Sequence, residues 1–168
     1  MADHGDGRTA EQPTAHVIFE LDIEDGWPPV ASERVWAYDV GDNRYVIDNV
    51  PWFVHDLAIG DLVRAVSPDS RSHPIFQRLL DRSDHVTIRL ICFRNGPLGG
   101  DLALAKELFT RLGVYAEGVA QYGMVALDVK PGDPLDHIAA VLRAGVADGS
   151  WEMEEGRITQ AWIEASSA

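Results

Sequence analysis

Lysine is nearly missing from this sequence: of its 14 basic residues only Lys106 and Lys130 are lysines. Bases of any kind are few beside 27 acids, and the formal charge is −13. A field of that sign repels the nucleic-acid backbone and anionic membranes, so neither is an expected partner. Cysteine occurs once, at Cys92. That excludes an intramolecular disulfide and any multi-cysteine metal site, and a thiol between Ile91 and Phe93 reads as a core residue. No apolar run approaches the roughly 18 residues that span a bilayer. The acidic N-terminus has no apolar h-region, so no signal peptide is expected and a cytoplasmic location follows. Missing too are His-Glu-x-x-His, Gly-x-Ser-x-Gly and the phosphate-loop pattern ending in Gly-Lys-Ser/Thr. No metal and no cofactor are expected.

What is present is an ordinary globular composition. The chain has 168 residues, 46% of them hydrophobic, with five Trp, four Tyr and five Phe. That suits one domain or two small ones packed together. Residues 1–14 read as a disordered polar tail and residues 164–168 as a frayed end. Residues 1–84 hold 16 acids against 7 bases, and residues 85–168 hold 11 against 7, so the first half is the more acidic.

The first half, residues 15–84, reads as strands and turns. Val17, Phe19 and Leu21 alternate over 16–22, the period of a half-buried strand. Gly26-Trp27-Pro28-Pro29 breaks the pattern. Further strands are expected over 34–40, 44–50 and 62–66, while 75–82 fits strand or helix. Turn signals recur about every ten residues, so a small bent sheet or partial barrel is predicted.

The second half, residues 85–163, is written β-α-β-β-α-β. A strand over 85–93 leads to a helix capped by Asp101, with Leu102, Ala105, Leu108, Phe109 and Leu112 on its apolar stripe. Strands over 114–121 and 124–130 follow. Asp133-Pro134 then opens a second helix, with Leu135, Ile138, Ala139, Leu142 and Val146 inward. A strand over 151–158 closes the set, and its charges at Glu152, Glu154 and Glu155 suit a sheet edge. The fold class is therefore α+β: a bent sheet or partial barrel, then a ferredoxin-like half.

The middle of the chain carries a recognisable string. It holds Trp36-Ala37, Gly41, Tyr45, Ile47-Asp48-Asn49-Val50-Pro51-Trp52-Phe53, Gly60-Asp61-Leu62-Val63 and Arg82-Ser83-x-His85-x-Thr87-Ile88-Arg89. In this order, over about residues 16–160, the chain resembles the bacterial family DUF4265, a domain of unknown function. It departs from that pattern at Asp84, where Gly is expected, and at Val86, where Ser is expected. The resemblance implies no activity, but it directs attention to residues 48–53, 60–61 and 85–89.

Alternation along the 85–93 strand puts His85, Thr87 and Arg89 on one face, and Val86, Ile88, Leu90 and Cys92 on the other. An imidazole, a hydroxyl and a guanidinium in a row suit a small anionic ligand. Asp81 and Asp84 would favour a charged His85. The same row equally suits a buried polar seam between the halves. Asp48, Asn49 and Trp52 read either as a shaped turn anchoring the core or as a pocket wall with an amide reader. His55-Asp56 is no dyad on a strand, since neighbours face apart. The loop 95–100 lacks a phosphate-loop lysine.

A non-catalytic ligand- or protein-binding or regulatory module fits these features best. One alternative is a small enzyme acting on a metabolite or peptide, with His85 as acid–base residue and Arg89 as anion orienter. Another is an acidic inhibitor or immunity-type protein facing a basic partner. An open sheet face would instead pair two copies in a homodimer.

Overall fold

The computed structural model describes Pro13 and residues 15–167, so the expected N-terminal tail lies, Pro13 apart, outside the described residues. Two sheets organise the chain. The first is a closed barrel of β1 (Ala15–Glu20), β2 (Ser32–Asp39), β3 (Arg44–Ile47), β4 (Leu62–Val66) and β5 (Ile75–Asp81). Successive strands pair antiparallel, and β5 returns parallel to β1. Closure is slight: Ile18 pairs with Ile75, and the Ile18 N–H donates to the Pro74 carbonyl at 2.8 Å. Alternating residues Val17, Phe19, Val35, Ala37, Tyr45, Ile47, Val63 and Ala65 fill the barrel. The segment 75–82, which fits either element, forms a strand over Ile75–Asp81. Its apolar side chains Ile75, Phe76, Leu79 and Leu80 have helix-like spacing because register shifts against β4 break the strand period.

The second sheet has the order β7-β8-β6-β9. Its elements are β6 (Val86–Cys92), α1 (Leu102–Thr110), β7 (Tyr115–Val119), β8 (Met124–Val129), α2 (Leu135–Ala147) and β9 (Trp151–Arg157). All its pairings are antiparallel, and the acidic β9 lies at an edge. Val86, Ile88, Leu90 and Cys92 join one core with Val125, Leu127, Phe109, Ile138, Leu142 and Trp151. The Cys92 thiol is buried there, and burial pushes its pKa up.

Asp101 caps α1, accepting from the N–H groups of Ala103 and Leu104 at 2.9 and 3.2 Å. Asp133 does not cap α2. Its carboxylate turns back to the Lys130 N–H at 2.9 Å and closes the preceding turn. Leu108 and Val146, expected inside, are exposed. Gly145 takes the inward place on α2, because the Trp151 ring lies where a side chain would go: a Cβ there would be 2.0 Å from it. A third helix, α3 (Gln160–Ser166), runs into residues expected to be frayed. Seven residues are too few to show a periodic stripe. Trp162 anchors α3, fully buried with its indole N–H on the Glu155 carboxylate at 2.8 Å. No helix among the described residues is long and apolar enough to cross a membrane.

Candidate functional site

The second face of β6 meets the barrel. The Thr87 hydroxyl donates to the Leu57 carbonyl at 2.9 Å. Arg89 is 2% exposed despite its charge. Its Nη1 donates to the carbonyls of Val54 and Pro51 at 2.8 and 3.3 Å, and Nε and Nη2 grip both oxygens of Glu154 at 3.2 and 2.9 Å. Antiparallel pairing places Glu154 directly across from Arg89. Gly156 makes room for this fork, since a Cβ on it would stand 2.9 Å from the guanidinium carbon.

Two carboxylates shape the barrel segment that receives these donors. Glu33 on β2 accepts the N–H groups of Trp52, Phe53 and Val54 at 2.6, 2.8 and 3.0 Å. Those residues would otherwise be orphan donors in a segment that is neither helix nor strand. Asp61 is fully buried and accepts from Ala58 and Ser83 N–H groups at 2.9 and 2.8 Å. Arg157 of β9 reaches across to Asp61 at 3.3 Å and donates to the carbonyls of His85 and Ser83 at 3.0 and 2.8 Å. The Asp56 N–H adds a main-chain bond to Gly156 at 2.8 Å. Among the described residues, every buried side-chain polar atom has a partner.

His85 lies at the end of the row, one residue before β6. Its Nδ1 is 2.7 Å from Asp128 on β8, so its acidic partner is not Asp81 or Asp84. Burial pushes the Asp128 carboxyl up, partly offset by His85. Opposite Asp128 on β7 stands Tyr115, whose hydroxyl donates to Glu117. That bond, then burial, then the charges of Glu117, Asp48 and Asp128 push the phenol up to about 12. Asp48 therefore sits near this cluster rather than on Arg89. Asn49 points elsewhere, accepting the Trp36 N–H at 2.6 Å. Trp52 is held through its N–H by Glu33. The six residues singled out in the sequence thus do not converge on one pocket.

A cleft of about 590 Å³ opens at another place, where β1 and β5 diverge past the Ile18–Ile75 pair. Phe19 and Phe76 stack at 4.7 Å in it, and Trp27 meets Phe53 edge-to-face at 5.6 Å. Glu20, Asp22, Glu24 and Asp25 supply carboxylates, and His55 also lines it, 3.1 Å from Glu154. A tight hairpin turn sets Trp27 in place: Glu24 bridges to Trp27, with Asp25 and Gly26 at φ 51° and 81°. Both central residues have positive φ, the geometry Asp-Gly favours. In the sequence, Gly26-Trp27-Pro28-Pro29 marks only the end of a strand pattern. The signal was the acidic run around a lone Trp.

A closed five-stranded barrel bonded to a four-stranded sheet backed by helices defines a two-sheet α+β protein. A family model described as a domain of unknown function, DUF4265, matches residues 33–153, and the chain belongs to that family. A solved structure described as a hypothetical protein from Neisseria gonorrhoeae is similar, with a TM-score of 0.68 and 16% identity over 88% of this chain and 97% of that one. At that identity the likeness shows the fold alone. No curated protein matches the chain.

Proposed function

We propose that this protein is a non-catalytic binding module. In this reading the His85–Thr87–Arg89 row is the seam that fixes the sheet to the barrel, and the ligand sits in the cleft beside Trp27 and Phe53. The cleft carries the reading. Its volume falls in the range of small-molecule and peptide sites, and it joins an apolar floor to a few polar groups. An anion at Arg89 would have to displace two main-chain carbonyls and Glu154 from a guanidinium already occupied by them. The order β7-β8-β6-β9 and the β-α-β-β-α-β sequence support describing the second half as ferredoxin-like.

The test is an NMR titration with a mixed library of neutral, anionic and cationic fragments. Shifts are expected at the Trp27 indole and the Phe53 and Val54 amides. Shifts confined to Thr87 and Arg89 would overturn the reading.

One observation favours the enzyme alternative, the His85–Asp128 contact at 2.7 Å with the imidazole partly open to solvent. A carboxylate can orient an imidazole for proton transfer. A His85→Ala variant that keeps full biological activity would remove that alternative.

A further inference from the structure

Granting that the cleft is the binding site, we propose that its occupant is an extended segment of a basic polypeptide, with an arginine or lysine side chain seated against the aromatic floor. Four carboxylates line the cleft, and no lysine or arginine lines it among the described residues. Glu20, Asp22, Glu24 and Asp25 are exposed, so they remain available to a partner. The imidazole of His55 is held toward Glu154. Trp27 is 44% exposed, so much of its ring is open to a partner. An indole ring attracts guanidinium and ammonium groups, and carboxylates nearby supply charge-assisted hydrogen bonds. The aliphatic stem of either side chain would lie along Phe19, Phe76 and Val54, leaving its charged head at the acidic rim.

A polypeptide fits better than a free small amine for two reasons. The cleft is formed where the β1–β5 ladder stops after one residue pair, so strand main chain borders it. Extended peptides add to such edges through main-chain hydrogen bonds. The charge of the whole chain, −13, also acts beyond the cleft and would draw a multiply charged partner toward it.

The experiment is isothermal titration calorimetry at 50 mM salt with three blocked probes: Ala-Arg-Ala-Arg-Ala, the same peptide with Gln for Arg, and arginine amide. The Arg peptide should bind at least tenfold tighter than either of the others. The double variant Asp22→Asn/Glu24→Gln, which alters exposed side chains, should weaken it at least tenfold while circular dichroism and melting stay unchanged. Asp136→Asn/Glu107→Gln removes the same charge from the helices and should change affinity less than twofold.

Equal binding of the Arg and Gln peptides would overturn the proposal. So would equal weakening by the two double variants, or arginine amide binding as tightly as the peptide. The cleft reading itself stands if neutral fragments still shift the Trp27 indole, and it falls with this one if no probe does.

Discussion

At the scale of single residues, the polar row shows what a buried charge needs. Arg157 and Asp61 are 4% and 0% exposed at their side chains, and each is surrounded by main-chain partners as well as by the other. Removing one partner strands the other charge, which costs about 3–5 kcal/mol. Arg157→Met should therefore lower the denaturant midpoint sharply, with little change in the slope of the transition. Gly156→Ala should also destabilise, by about 1–3 kcal/mol, because the new methyl presses on the Arg89 guanidinium. A third residue-scale prediction concerns Tyr115. Its proton is held more tightly in the folded state, so folding stability falls as pH rises from the ordinary phenol range near 10 toward about 12. Phenolate absorbance should show one component with a midpoint near 12. That component should vanish in Tyr115→Phe and move down in Glu117→Gln.

At the scale of elements, most of the order was legible and several ends were not. Strands β1, β2, β6 and β8 announce themselves because one face or both are apolar at period two. The strand β5 does not, since bulged pairing with β4 destroys that period. Asp101 could be read as a cap from its place before an apolar stripe. The same logic failed at Asp133, because a Pro-Gly turn just upstream offers its carboxylate a nearer N–H at Lys130. The row on β6 was legible from alternation alone, but its partners were not: Pro51, Val54 and Leu57 present main-chain carbonyls, which leave no trace in side-chain identity. The residues that carry the family resemblance, 48–53, 60–61 and 85–89, largely meet at this junction. Glu33 holds the intervening segment by three N–H groups, and hydrogen bonds to a charged acceptor stabilise by about 1.5–3 kcal/mol each. Glu33→Ala should thus speed hydrogen exchange at Trp52, Phe53 and Val54 well before it affects β8.

At the scale of the whole molecule, two hydrophobic cores lie on either side of a hydrogen-bonded polar layer. The layer contains Thr87, Arg89, Arg157, Asp61 and Glu33, all buried. Its bonds make the barrel and the sheet a cooperative unit, so unfolding monitored by tryptophan fluorescence and by far-ultraviolet circular dichroism should coincide. The polar layer is filled from within, and the acidic aromatic cleft of the proposed function lies outside it. The most direct measurement is equilibrium unfolding of Arg89→Met beside the unaltered protein. The expected result is a loss of about 3 kcal/mol, or roughly 10 °C in melting temperature for a chain of this size, from leaving the buried Pro51 and Val54 carbonyls without their donor. A melting temperature unchanged within a degree would contradict it, and would return the row to the standing of an open site.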